Sequence, residues 1–247
     1  MKREEARLRE LGLWPPHGLQ AGARARPARG VASPPASAPV DAPDAASRRV
    51  SASVAVPATG DWPALEAEIR ACQACGLCRT RQQAVPGGGS RTAQLLVVGA
   101  APGADEDSRG EPFVGVAGAL LDQMLLAIGL HRREVYVTDV LKCRPPDDRQ
   151  PSAEEVTACI PHLLQQIERL QPSLILALGD VAARALLGGD GRVDGWRGSE
   201  LAFMGIPVVV SHHPAHLLQA PLDKSGTWED LCRLDAQLAA RTASAAG

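Results

Sequence analysis

Cys72, Cys75 and Cys78 stand at two-residue gaps in the run ACQACGLC, and Cys143 and Cys159 follow far downstream. That distribution points to one metal centre closed across a long stretch of chain, so the fold must bring three remote segments together. Soft thiolate ligands favour zinc or an iron–sulfur cluster over magnesium or calcium. Spacing alone leaves the choice between zinc and iron–sulfur open. A disulfide framework suits the chain less well, because no secretory leader precedes the cysteines and 247 residues need no staples to hold a core.

The length fits one domain of about 180 residues preceded by a less ordered segment. From about Gly18 to Gly60 the chain is dominated by Ala, Pro, Ser, Gly and Arg, with too little apolar bulk to offset the entropy of ordering it. Residues 1–60 are therefore expected to be a disordered tail. Within it Leu8, Leu11 and Trp14 fall at helical spacing, which would suit a short amphipathic segment docking on a protein partner. The net charge of −2 argues neither for nor against a polyanionic partner, but Arg79, Arg81, Arg91, Lys142, Arg144 and Arg149 lie beside the candidate motifs. No apolar run approaches the roughly 20 residues of a membrane helix. The expected protein is soluble, cytoplasmic and monomeric, without membrane contact.

Beyond Asp61 the pattern becomes orderly. Asp61 and Pro63 open a helix leading to Cys72, and Leu95 to Val98 read as a buried strand running into the tight loop Gly99 to Gly103. A helix around Gly118 to Ile128, a strand Val135 to Val140, and a helix capped by Ser152 and Glu155 that carries Cys159 to Leu170 come next. Strands Leu174 to Leu178 and Ile206 to Val210 follow, the first leading into a helix at Gly179, the second into the loop His212-His213-Pro214. A last helix spans roughly Thr227 to Ala240. Strands alternating with helices imply an α/β domain with a mostly parallel sheet covered on both faces. Ligands bind such sheets at the carboxyl ends of the strands, where Gly99 to Gly103, Asp139 and His213 all fall.

Taken together, LLVVGAAPGADEDSRGEPFVGVAG, VYVTDVLKCRPP, the CxxC before them and the HPAHLL loop after them resemble the family 4 uracil-DNA glycosylases. The likeness runs from about Leu65 to Leu234. It implies a three-layer sandwich around a four-stranded, mostly parallel sheet over residues 61–243, and a [4Fe–4S] cluster held by Cys72, Cys75, Cys143 and Cys159. Cys78 and Cys232 would then be spare. The implied activity is hydrolysis of the N-glycosidic bond of uracil in single- or double-stranded DNA, the nucleotide being flipped out of the stack.

The same resemblance assigns roles to site residues. Phe113 would stack the extruded base, and His213 would donate to uracil O2 as charge builds on the leaving base. Ala100, Ala101 and Gly103 would line the substrate loop, Glu106 would orient the attacking water, and Leu217 or Leu218 would wedge into the duplex. Two positions depart from the family pattern: Ala100 stands where the family has Glu, and Asp139 where it has Asn. An ionised Asp can only accept hydrogen bonds, whereas an amide both accepts and donates. Unless burial keeps Asp139 protonated, uracil O4 would face a carboxylate. A DNA-binding relative without turnover, and an iron–sulfur or zinc interaction module, are the alternative readings.

Overall fold

The computed structural model describes residues 61–245; the expectations for the tail, including its Leu8 to Trp14 segment, lie outside them. Two strands, β2 (Leu95–Gly99) and β4 (Leu174–Leu178), have no polar side chain and are buried at every position, the pattern of strands covered on both faces. They sit at the centre of a six-stranded sheet with β1 (Gly88–Gly89), β3 (Tyr136–Asp139), β5 (Leu201–Phe203) and β6 (Ile206–Ser211) in the order β1-β3-β2-β4-β6-β5. The inner four strands are parallel, with Val97 opposite Val137 and Leu176, and Leu176 opposite Val209. The edge strands β1 and β5 are antiparallel to their neighbours. The four-stranded expectation thus covers the parallel core and misses both edges. A two-glycine strand and a three-residue half-buried one carry no alternating apolar pattern to read.

Alternation within each inner strand builds two core layers. Leu96, Val98, Tyr136, Ile175, Ala177, Val208 and Val210 face one side, where α4 (Ala153–Leu170), α5 (Gly179–Leu187) and α6 (Val193–Trp196) contribute Leu163, Ile167, Ala182, Ala183, Leu186 and Val193. Leu95, Val97, Val137, Leu174, Leu176 and Val209 face the other, against Leu121, Met124 and Leu125 of α3 (Gly115–Ala127), Leu217 of α7 (Pro214–Gln219) and Leu231 and Leu234 of α8 (Lys224–Ala245). The result is a three-layer α/β/α sandwich. Trp62, on α1 (Trp62–Ala71), packs against Tyr136 with ring centroids 4.9 Å apart.

Helix α4 starts at the expected capping box: Ser152 Oγ accepts from the Glu155 amide at 3.2 Å, and Glu155 Oε2 accepts from the Ser152 amide at 2.8 Å. Such a cap contributes about 1 kcal/mol. The helix runs on through Pro161 to a left-handed Gln171. An interior proline costs roughly 3 kcal/mol, and burial of Cys159, Leu163, Ile167 and Leu170 along the same helix offsets it. A short helix not anticipated from sequence, α2 (Ala104–Arg109), follows the β2 loop.

Candidate functional site

Because the four inner strands are parallel, their carboxyl ends meet on one edge of the sheet. Gly99 ends β2, Asp139 ends β3, Gly179 follows β4, and His212 and His213 follow β6. A side chain added at Gly99 would collide with both the Asp139 carboxyl and the Phe113 ring, so the bare Cα lets those two groups close on each other. The Phe113 ring lies 5.3 Å from the His213 ring, tilted by 32°. Phe113, Asp139 and His213, each predicted from sequence, therefore converge. Ala100 is tied to the end of β3 by its carbonyl, which accepts from the Leu141 amide at 3.1 Å, and Ala101 packs partly against the core below.

Phe113 is held in a left-handed conformation, φ 50°, which costs a non-glycine residue about 1–3 kcal/mol and needs support on both sides. On one side, Arg132 donates to the Pro112 carbonyl and pairs with Asp122 at 3.2 Å. On the other, Glu106 Oε1 accepts from the Val114 amide at 2.9 Å. Gly118 completes the brace, since a Cβ there would strike the Phe113 carbonyl. Arg132 had no signal in the sequence, because its part depends on a carbonyl twenty residues away.

Electrostatics distinguish the two polar groups. Asp139 is 2 % exposed, and burial pushes its carboxyl up to about 7, with Glu106 pushing the same way and Lys142 and Arg132 opposing. Near neutrality it is thus divided between carboxylic acid and carboxylate. Burial holds His213 down to about 4, helped by His216, so its imidazole is neutral at physiological pH. Its Nδ1 accepts from the Ala215 amide at 3.2 Å. A backbone amide can only donate, so the ring proton must sit on Nε2, leaving Nε2–H as the outward donor.

The acids and bases flanking this centre behave differently from expectation. Glu106 Oε2 takes the Gly103 amide at 3.0 Å while Oε1 takes Val114, so the carboxylate braces the loop and has only its remaining lone pairs for a water. Asp107 is buried and accepts from the amides of Gln82 and Gln83, which removes it from the site. Leu217 is 1 % exposed and belongs to the core, whereas Leu218 is 44 % exposed; of the two wedge candidates only Leu218 is available. Of the six basic residues read as DNA contacts, Lys142 is buried against Thr138, Gln166 and the Asp139 carbonyl. Arg91, Arg144 and Arg149 pair with Glu66, Asp148 and Glu155 at 2.6–2.7 Å. Arg81 turns to the cysteines, and Arg79, exposed like Arg91 and Arg149, is the member of that set that meets neither an acid nor a sulfur among the described residues.

Cys72, Cys75, Cys78, Cys143 and Cys159 line one cavity with Arg81, Lys142 and His162. The remote segments do meet, as the cysteine spacing predicted. Hydrogen-bond donors already point at the sulfurs: Arg81 Nη1 at 2.8 Å from Cys143, the Lys142 amide at 3.2 Å from Cys159 and the Ala74 amide at 3.5 Å from Cys72. Arg81 Nη2 also donates to the carbonyls of Arg70 and Cys72, clasping the α1 end to Cys143. Burial pushes the Cys143 thiol up and the Cys159 thiol up to about 11, partly opposed by Arg81 and Lys142 respectively, so metal binding must displace protons. Five soft donors with N–H groups aimed at sulfur fit a thiolate-bound centre. Cys78, expected to be spare, lines the same cavity, whereas exposed Cys232 lies on α8, away from it.

Comparison with known proteins identifies the family. Residues 86–233 match the Uracil DNA glycosylase superfamily. A type-4 uracil-DNA glycosylase of Pyrobaculum aerophilum is 40 % identical over 180 residues, covering 69 % of this chain and 91 % of the relative. The type-4 enzyme of Archaeoglobus fulgidus is 44 % identical over 163 residues, 62 % of this chain and 81 % of the relative. That of Thermotoga maritima is 39 % identical over 155 residues, 61 % and 80 % of the two chains. The matched region contains the whole strand-end pocket and two of the five clustered cysteines, and by it this chain belongs to the uracil-DNA glycosylase superfamily, among its type-4 members.

Proposed function

We propose that this protein is a DNA-repair hydrolase that releases uracil from DNA by cutting the N-glycosidic bond of a nucleotide flipped out of the stack. The observation that carries the proposal is the convergence of Phe113, Asp139 and His213 around the bare Gly99. Phe113 offers its ring for the base to stack on. Asp139 in its acid form accepts from uracil N3–H and donates to O4, restoring the pairing that a carboxylate would break. His213 Nε2–H donates to O2, where negative charge gathers as the bond to the sugar lengthens, and a preorganised donor in a dry pocket supplies several kcal/mol there.

The sugar becomes cation-like as the base leaves and water attacks its anomeric carbon. Glu106 orients that water with the lone pairs its two backbone contacts leave free. Ala100 places no carboxylate in the loop, so more of the stabilisation falls on the DNA's own phosphates. Leu218 fills the gap left by the flipped nucleotide. A [4Fe–4S] cluster on Cys72, Cys75, Cys143 and Cys159 would supply a cross-link that fixes the segments beneath the DNA-facing loops. Among the described residues no helix is long and apolar enough to cross a membrane; cytoplasmic action on intracellular DNA belongs to the same proposal.

The test is a strand-nicking assay on oligonucleotides carrying uracil, hypoxanthine, xanthine or a cytosine mismatch. Cleavage after alkali at uracil alone supports the reading. Binding of the uracil strand without any alkali-labile site would overturn it, and preference for cytosine would show that Asp139 acts as a carboxylate.

A further inference from the structure

We propose that His212, His216 and Asp223 form a binding site for a divalent transition metal of the zinc class, beside His213. One ligand atom from each lies within 4.8 Å of the others. Their residues come from three elements: the end of β6, helix α7 and the turn Pro221–Asp223 before α8. Two imidazoles and a carboxylate are a donor set that favours zinc and its neighbours over calcium or magnesium.

An ordinary surface ion pair would need only His216 and Asp223, whose Nε2 and Oδ2 are 2.6 Å apart. Here a second imidazole lies nearly parallel to the first, centroids 5.1 Å apart and planes at 18°. Two such rings would repel each other if both were protonated, whereas a shared cation uses both lone pairs. His212 is buried and anchored: Thr227 Oγ1 lies 3.3 Å from its Nδ1, and Asp194 Oδ1 lies 3.3 Å from its Nε2. The Thr227 hydroxyl can donate to Nδ1 or accept from it, according to the His212 tautomer. With Nδ1–H donated to Thr227, Nε2 presents its lone pair outward, the arrangement in which an outer partner fixes a metal-ligating tautomer.

Bonds of about 2.0–2.2 Å place tetrahedral ligands roughly 3.5 Å apart, so the widest-spaced ligand atoms, within 4.8 Å of one another, must close by about 1.3 Å at most, while His216 Nε2 and Asp223 Oδ2, now 2.6 Å apart, must separate by about 0.9 Å. His216 and Asp223 have side chains 47 % and 41 % exposed and can swing inward without disturbing packing. Asp194 or water completes the coordination. The bound ion would pin α7, and with it Leu218, to the end of β6 and the turn before α8. This site is separate from the thiol cavity and does not depend on the proposed glycosylase activity.

Calorimetric titration of zinc chloride into the cluster-loaded protein, with iron measured before and after, tests it. One zinc per chain should bind with iron unchanged. His216→Ala and Asp223→Ala should each weaken binding by at least about tenfold and the pair should abolish it, while Cys78→Ala and Cys232→Ala leave it unchanged. Both altered His216 and Asp223 positions are exposed, so folding is retained, and an unchanged thermal midpoint without zinc verifies this. Equal zinc binding by the double variant, loss of binding in a cysteine variant, or no binding by the parent protein would overturn the proposal.

Discussion

Replacing Asp139 by Asn isolates the group on which uracil recognition turns. The carboxyl and the amide have nearly the same shape, so the change alters protonation and little else. With its acid form persisting up to about pH 7, Asp139 is about nine-tenths protonated at pH 6 and about one-tenth at pH 8. If only the acid pairs with O4, single-turnover uracil release by the parent should fall about tenfold between those values. His213 does not contribute to that slope, since it is neutral well above its value of about 4. Asp139→Asn should be flat over the same range and about tenfold faster than the parent at pH 8. Burial sets the transition, with Lys142 and Arg132 lowering it and Glu106 raising it, and the substitution removes none of these groups. Stability gives a second readout with a definite sign. The folded carboxyl titrates above its ordinary 3.8, so its contribution is full below about pH 4 and is lost as pH rises through about 7. Asp139→Asn should therefore gain stability over the parent on the alkaline side. A parent rate independent of pH, or an Asn variant slower than the parent at pH 8, would refute the argument.

Other expectations follow from burial and contact. Leu217→Ala should destabilise the fold by about 2–5 kcal/mol in denaturant melts, whereas Leu218→Ala should leave stability unchanged and slow release from duplex more than from single-stranded substrate. Cys143→Ala and Cys159→Ala should strip iron and sulfide from the purified protein, and Cys78→Ala should retain them. Arg81→Ala should weaken retention of the centre and alter its reduction potential, because it removes the donor 2.8 Å from the Cys143 sulfur; an unchanged potential would mean that the contact does not reach the metal. Arg79→Ala should weaken DNA binding and flatten its salt dependence by about one charge, an effect absent from Arg144→Ala and Arg149→Ala, whose guanidinium groups already meet acids.

What was legible in the sequence is what local pattern encodes. The all-apolar strands Leu95–Gly99 and Leu174–Leu178, the Ser152 capping box and the helix it starts stand where spacing puts them. Strand ends had to share an edge once the strands were parallel, which is why Gly99, Asp139 and His213 come together; Phe113, beyond α2, was singled out only by the family resemblance. Edge strands were not legible, since Gly88–Gly89 and Leu201–Phe203 make their identity by pairing and not by pattern. Side-chain partners were equally hidden. Arg81 reads as a surface cation until Cys143 folds beside it, and Glu106 reads as a free acid until the amides of Gly103 and Val114 fill its oxygens. His212 and His216 were read only as neighbours of His213; their approach to Asp223 depends on how α7 turns into the segment before α8.

The central claim is that the pocket at Gly99 turns over, with His213 as the donor to the departing base. Mass-spectrometric detection of free uracil from a uracil-containing oligonucleotide, under single turnover and with protein in excess, tests it directly. The account predicts free uracil and an abasic strand in equal amounts, and a loss of about 10²–10³-fold in rate for His213→Ala with DNA affinity retained. An intact uracil strand recovered from a stable complex, or a His213→Ala rate equal to that of the parent, would contradict it.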